Sequence, residues 1–120
     1  MKKCIGIVGT RKRDSEEDYK AVFKAFKKIY NRMEEDSLVS GGCQKGGDRF
    51  AEVISKTIGV PITMHRFNWE KHGKKAGFIS NTLVAKNCDI LIACVSEDRM
   101  GWPEDTIKKA EKQGKQIIIV

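Results

Sequence analysis

The sequence predicts a three-layer, Rossmann-like α/β domain with about five parallel strands in the sheet order 3-2-1-4-5. Short apolar runs alternate along the chain with longer segments whose apolar residues recur at helical spacing. Regular alternation of strand and helix indicates parallel strands joined by right-handed crossovers. With 120 residues, no internal repeat and no obvious linker, residues 1–120 are expected to form a single domain.

The first part of the chain predicts one strand and one long helix. Residues 3–8 form a short apolar run that Gly9 ends, as expected for a buried strand. Ser15 and Asp18 then have the spacing of a capping box. Apolar residues recur from there at helical spacing, with lysines between them, as far as Met33. We therefore predict an amphipathic helix that reaches this methionine.

The middle of the chain predicts a second helix between two short strands. Leu38 and Val39 form a brief strand that runs into a glycine-rich loop. Asp48 is a candidate N-cap for the helix that follows, and Gly59 is a typical C-terminal stop. The third strand is expected over residues 60–64, where a proline is tolerated near the first residue.

The last part of the chain predicts two helices and two strands. Residues 67–75 are expected to form a polar loop, and residues 76–87 a helix. Residues 89–95 are the strongest predicted strand, buried on both faces. Pro103 suits the first turn of the last helix, and residues 116–120 predict the final strand.

The formal net charge of +7 raises the question of an anionic partner. Many lysines lie on predicted helices, and a solvated helix face is the common explanation for that pattern. An anionic small molecule and a polynucleotide are the alternatives. The longest apolar run, residues 90–95, is far too short to span a bilayer, and the start of the chain lacks the features of a signal peptide. We expect a cytoplasmic protein with no membrane partner.

The four cysteines, at positions 4, 43, 88 and 94, lack the paired spacing of a zinc site. Three lie in or beside apolar runs, as small buried hydrophobic residues do, which favours a reducing compartment. Cys43 lies in the glycine loop, where a reactive thiol is one interpretation. His65 and His72 have no partner acid or metal-ligand spacing in the sequence, so we assign them no role. We predict no metal and no cofactor.

Residues 40–48 carry two Gly-Gly pairs immediately before a predicted helix. Glycines let the backbone approach a ligand closely and leave amide N–H groups free to donate. The positive end of the helix dipole favours an anion there, and Ser40 and Arg11 would add a hydroxyl and a guanidinium. A tight strand-to-helix turn is the structural alternative. The loop matches neither the Walker pattern nor the dinucleotide fingerprint, so a conventional ATPase or NAD dehydrogenase is not expected.

The predicted site lies beyond the carboxyl ends of the strands, near the point where the strand order reverses. Loop tryptophans there can lie over a nucleobase or serve packing alone, and acids at helix starts are caps or candidate catalysts. The candidate catalytic residues are Asp48, Glu104 and Asp105. The candidate ligand-binding residues are Gly9, Thr10, Arg11, Ser40, Gly41, Gly42, Gly46, Gly47, Asp48, Trp69, Asn81 and Trp102.

Read together, these segments resemble the SLOG superfamily, which unites DprA/Smf proteins with LOG-type proteins, and above all its small stand-alone YspA-like branch. Gly9-Thr10-Arg11 matches the branch's G-[ST]-R turn after strand 1. Residues 40–48 match its S-G-G-x-x-G-G-D-type loop, with one extra residue between the glycine pairs. Further matches are Trp69, Gly73, the A-G-x-x-x-N motif at 76–81, and Asp89 at the start of the strong strand.

The chain departs from the superfamily in the loop after strand 4. The usual G-G-T or G-G-x-G-T pattern is replaced by residues 100–106, which contain one glycine, while 105–107 and Ala110 still fit. Superfamily members with phosphoribohydrolase activity use an acid and an arginine around P-G-G-x-G-T-x-x-E. That motif is not intact here, which argues against the activity.

Three hypotheses follow from the residues and the resemblance. The first is a sensor or sequestering protein that binds a nucleotide or nucleotide-derived ligand, such as a nucleoside phosphate or an ADP-ribose derivative. The second is a hydrolase that cuts the N-glycosidic bond of a nucleoside monophosphate. The third is a module that binds single-stranded DNA, which would lose affinity steeply with salt. The resemblance also implies a homo-oligomer.

Overall fold

A single sheet of five parallel strands forms the centre of the computed structural model, which describes residues 2–41, 46–66 and 69–120, except for the side chains of Trp69, His72 and Lys74. The strand order β3-β2-β1-β4-β5 confirms the predicted order and the three-layer α/β class. The strands are β1 Cys4–Gly9, β2 Ser37–Ser40, β3 Ile62–Met64, β4 Ile90–Cys94 and β5 Gln116–Ile119. The helices are α1 Glu16–Ile29, α2 Gly47–Ile58, α3 Trp69–His72, α4 Ala76–Asn87 and α5 Trp102–Lys112, with a 3-10 turn at Gly73–Lys75.

The two faces of the sheet carry separate apolar cores, because side chains alternate along each strand. Helices α1 and α2 cover one face, and α4 and α5 cover the other. The first core includes Ile5, Ile7, Val22, Phe26, Leu38, Phe50, Ile54 and Ile92, and the second includes Val8, Val39, Val84, Leu91, Ala93 and Ile107. Strands β1 and β4 are therefore buried on both sides, as predicted for β4.

The order of the strands places a crevice between β1 and β4. The chain moves from β1 to β2 and β3 on one side, then crosses to β4 on the other side of β1. The loops that leave β1 and β4 therefore turn to opposite faces of the sheet, and ligands of such sheets bind where the loops diverge.

Helix α1 is shorter than predicted. The capping box at Ser15 and Asp18 is confirmed, but the helix ends at Ile29, and the next residue is extended. Met33, which we predicted on the apolar face, is 94% exposed, so this part of the prediction is wrong. The reason is the carboxylate of Asp36, which accepts the backbone N–H of Asn31 at 2.8 Å and fixes a turn in place of another helical turn.

Residues 69–75 form α3 and the 3-10 turn, and the predicted polar loop is wrong for these residues. Their sequence is polar, but Glu, Lys and His are all compatible with helical backbone, and the segment leads directly into α4. Residues 67 and 68 lie outside the described part of the chain. Within the described residues, no helix is long and apolar enough to cross a membrane.

The buried Asp36 carboxylate ties the start of β1 to the turn after α1. It accepts the backbone N–H of Lys3 at 3.0 Å, pairs with the Lys3 ammonium, and accepts the N–H of Asn31. Burial alone would raise the pKa of Asp36, but these hydrogen bonds outweigh burial and hold the pKa below its usual range.

We predict that Asp36→Asn lowers the free energy of unfolding by about 2 kcal/mol at pH 7. The Asp36 carboxylate is charged and accepts hydrogen bonds from Lys3 and Asn31, whereas the neutral amide of asparagine has only one oxygen that can accept. Since the folded pKa lies below the unfolded value, the stabilisation is present above about pH 4 and is lost as the pH falls through the folded pKa. Urea unfolding at pH 7 and at about pH 3 should show a difference between parent and variant that shrinks in acid.

The matched control is Glu16→Gln, which removes an exposed ion pair with Lys20 at 3.7 Å. It should change stability by less than about 0.5 kcal/mol. An equal loss for Asp36→Asn at both pH values would contradict the electrostatic explanation.

Candidate functional site

A cavity of about 200 Å³ lies at the carboxyl edge of the sheet, in the crevice between β1 and β4. Its walls come from the loop after β1, the residue after β2, the start of α2, and helices α4 and α5. The lining residues are Val8, Gly9, Thr10, Arg11, Lys12, Gly41, Asp48, Asn81, Val84, Gly101, Trp102, Pro103 and Thr106. Seven of the predicted ligand-binding residues are thus brought together: Gly9, Thr10, Arg11, Gly41, Asp48, Asn81 and Trp102.

Glycines allow the end of β1 to touch the start of α2. A Cβ on Gly9 would lie 2.7 Å from the nitrogen of Gly47, and a Cβ on Gly47 would collide with the backbone of Val8 and Gly9. Gly46, the N-cap of α2, has a φ of 73°, which favours glycine. These three glycines therefore serve the tight turn that was the structural alternative. Gly42 and Cys43 lie outside the described residues.

The N-cap amide of α2 already binds an internal carboxylate. Asp14 Oδ1 accepts the Gly46 N–H at 2.7 Å and the Arg49 Nε–H at 2.8 Å. The sequence analysis did not find this role for Asp14, because it depends on a contact 32 residues away. The acid stabilises the positive end of the helix, and it lies outside the lining of the cavity.

Asp48 lies in the cavity wall but does not cap α2, so the predicted N-cap is wrong. The helix starts one residue earlier, at Gly47, after the N-cap Gly46. The carboxylate of Asp48 contacts the Ser40 hydroxyl at 2.7 Å, and the same hydroxyl lies 2.8 Å from the carbonyl oxygen of Ile7. Ser40 is fully buried and does not line the cavity, so it joins β1, β2 and α2 behind the wall.

Asn81 joins α4 to the first turn of α5. Its Nδ2 group donates to the carbonyl oxygen of Trp102 at 3.3 Å and to Asp105 Oδ2 at 3.1 Å. Lys109 donates to the same Asp105 oxygen at 2.8 Å. Asp105 therefore positions the asparagine, and it does not line the cavity.

Glu104 also lies outside the cavity lining, paired with Arg99 at 2.9 Å. Of the three candidate catalytic acids, Asp48 alone lines the cavity. The backbone of Trp69 begins α3, and its side chain is outside the description. Among the described residues, no three His, Cys, Asp or Glu side chains converge as metal ligands.

Lys12 and Thr106 line the cavity, although the sequence analysis did not select them. Lys12 lies at the rim and pairs with Asp98 at 3.1 Å, with both side chains largely exposed. Thr106 is fully buried, and within the described residues its Oγ1 is the one buried side-chain polar atom without a hydrogen-bond partner. Thr106 follows Trp102 by four residues, which places both on the same side of α5. This spacing is the sequence signal that could have identified Thr106 as a cavity residue.

The Trp102 ring forms an outer wall of the cavity and lies directly against α4. It meets Phe78 edge-on with ring centroids 5.1 Å apart, and it is 40% exposed. A Cβ on Gly77 would lie 2.7 Å from the ring, so only glycine permits this approach. The glycine of the A-G-x-x-x-N motif therefore has a packing role.

We predict that Gly77→Ala lowers the free energy of unfolding by about 1–3 kcal/mol, because the new methyl group overpacks against the ring. In a Trp102→Ala background the same change should instead be neutral or stabilising by up to about 1 kcal/mol, since alanine is the better helix former. Urea unfolding of the four proteins checks this double-mutant cycle. A similar loss in both backgrounds would contradict the assigned role of the glycine.

Comparison with known proteins identifies the family of this chain. A search of curated proteins and a search of solved structures each gave no match. The model of the YspA, cpYpsA-related SLOG family (YAcAr) matches residues 7–72, which is more than half of the 120 residues. The match covers the end of β1, the glycine loop and α2, and it confirms the resemblance drawn from the motifs. The chain belongs to the YspA, cpYpsA-related SLOG family.

Proposed function

We propose that the protein binds a nucleotide or nucleotide-derived ligand in the cavity between β1 and β4, as a sensor or sequestering protein. The observation that carries this proposal is the position of the cavity at the switch point of a parallel sheet, with cations at its rim and buried polar groups inside. Membership of a SLOG family is consistent with a nucleotide-derived ligand.

The rim after β1 is suited to the phosphate groups. Thr10 N–H donates to the Cys94 carbonyl at 2.9 Å, which anchors the turn to β4. Arg11 and Lys12 follow at once, with exposed side chains. The ion pair between Lys12 and Asp98 is exposed, and such pairs contribute little, so a phosphate can replace the carboxylate at small cost.

The interior is suited to the nucleoside. Val8, Val84 and Pro103 supply apolar surface, and the Trp102 ring offers a face or edge on which a base can stack. Asn81 and Asp48 add polar groups to this wall, and each is more than nine-tenths buried. A mainly apolar cavity with a few fixed polar groups is the usual form of a small-molecule site.

A nucleoside monophosphate N-glycosidic hydrolase is the second candidate, and the buried Asp48 carboxylate in the cavity wall favours it. Such a reaction needs a carboxylate that stabilises an oxocarbenium-like centre or activates water. Glu104 and Asp105 are engaged in ion pairs outside the cavity, so the reaction would depend on Asp48.

We predict that at least one nucleoside mono-, di- or triphosphate, NAD or ADP-ribose raises the melting temperature of the parent protein. Arg11→Gln should weaken the binding of that ligand about 10-fold or more, because a charge-assisted hydrogen bond to phosphate is lost. Isothermal titration with the parent and the variant measures the change.

Lys24→Gln is the matched control, since it removes one exposed positive charge from α1 on the other side of the sheet. It should leave the affinity within about twofold, as expected for a screened distant charge. Equal weakening by both variants would indicate non-specific attraction to the basic surface. The absence of any thermal shift in the parent would reject the proposed function.

Chromatography of the ligand after incubation separates the two candidates. The binding proposal predicts intact nucleotide after many hours with stoichiometric protein. Free base together with ribose phosphate, lost in Asp48→Asn, would establish the hydrolase.

A further inference from the structure

We propose that Thr106 and Asn81 form an inner polar contact that selects an uncharged hydrogen-bonding group of the ligand, either a sugar hydroxyl or a group on the base. This inference rests on the proposed function, and it specifies which end of the ligand enters the cavity. Both side chains line the cavity, and the sequence analysis selected only Asn81.

Thr106 has a hydroxyl group that the protein leaves unsatisfied. The residue is fully buried, and its Oγ1 has no hydrogen-bond partner among the described residues. A threonine within a helix commonly donates to the carbonyl oxygen four residues earlier, which here belongs to Trp102. That oxygen instead accepts a hydrogen bond from Asn81 Nδ2 at 3.3 Å. Buried polar groups are rarely left unpaired, so a ligand group in the cavity is the natural partner.

The Asn81 amide is held in one orientation. Its Nδ2 group donates to two oxygens, the Trp102 carbonyl and the Asp105 carboxylate, and Lys109 holds that carboxylate in place. An amide turned by 180° would set its oxygen against both acceptors. The Oδ1 atom therefore faces away from α5, and no described residue donates a hydrogen bond to it. The inner contact thus pairs a fixed acceptor with a hydroxyl that donates or accepts.

The charges along the cavity place a phosphate at its rim and not at this contact. The Asp48 carboxylate lines the same cavity, and the Asp105 carboxylate lies 3.1 Å from the Asn81 amide. Lys109 balances the charge of Asp105, whereas the cations that line the cavity, Arg11 and Lys12, lie at the rim and attract an anion there. The ligand therefore enters with its hydroxyl or base group first and leaves its phosphate at the rim.

The test compares Thr106→Val, which keeps the shape but removes the hydroxyl, with Thr106→Ser, which keeps the hydroxyl. The probes are the four ribonucleoside 5′-monophosphates and their 2′-deoxy counterparts, measured by isothermal titration. We expect Thr106→Val to melt at or above the temperature of the parent, because an unpaired buried hydroxyl is removed. The affinity is compared for the monophosphate that the parent binds most tightly. Thr106→Val should bind it about 3- to 10-fold more weakly than the parent, while Thr106→Ser should bind it with an affinity within about twofold of the parent.

The two sugar series identify the partner. A loss confined to the ribonucleotides assigns the contact to the 2′-hydroxyl, and an equal loss in both series assigns it to the base or the 3′-hydroxyl. Equal affinity of the parent and Thr106→Val for every probe would overturn this inference and leave the proposed function standing. If no monophosphate binds the parent, this inference falls, whereas the proposed function is decided by the thermal-shift screen with the other nucleotides, NAD and ADP-ribose.

Discussion

The backbone contact between the end of β1 and the start of α2 is the constraint on which the site depends. Gly9 and Gly47 meet so closely that neither position accepts a side chain. This contact places the α2 N-terminus and Asp48 over the ends of β1 and β2, on the edge where the loops after β1 and β4 diverge. A larger residue at either position would push α2 away, and the cavity would lose one wall. Part of the glycine-rich sequence is therefore explained by packing, and ligand contact is not needed to explain it.

Most acids around the cavity position other groups. Asp14 binds the start of α2, Asp48 binds the hydroxyl that joins β1 to β2, and Asp105 orients the Asn81 amide. Each carboxylate contacts a hydrogen-bond donor and so helps to fix the position of that donor. Beside these acids, the cavity lining includes cations at the rim, the Asn81 amide and Thr106, whose buried hydroxyl has no hydrogen-bond partner among the described residues.

Local patterns in the sequence predicted the elements whose causes are local. The capping box at Ser15, the proline near the start of α5 and the order of five strands all follow from spacing and composition, and the structure confirms them. Helix α1 was predicted too long because its end is set by Asp36, which also binds the distant Lys3. The roles of Asp14 and Thr106 were missed for the same reason, because both depend on the folded chain. Asp14 meets Gly46 only after folding, and the lack of a partner for the Thr106 hydroxyl, among the described residues, is visible only in the folded structure. The sequence predicted that the site lies at the carboxyl edge of the sheet. It did not predict which residues there serve packing and which line the cavity.

The central claim, that a nucleotide occupies the cavity between β1 and β4, is tested most directly by the backbone amide NMR spectrum of the ¹⁵N-labelled protein during titration with the nucleotide that raises its melting temperature most. The account predicts that the largest shift changes fall on residues 9–12, on Asn81, and on residues 101, 102 and 104–106, and that they saturate with a single affinity. Changes confined to the lysine-rich outer face of α1, or a spectrum that does not change, would contradict it.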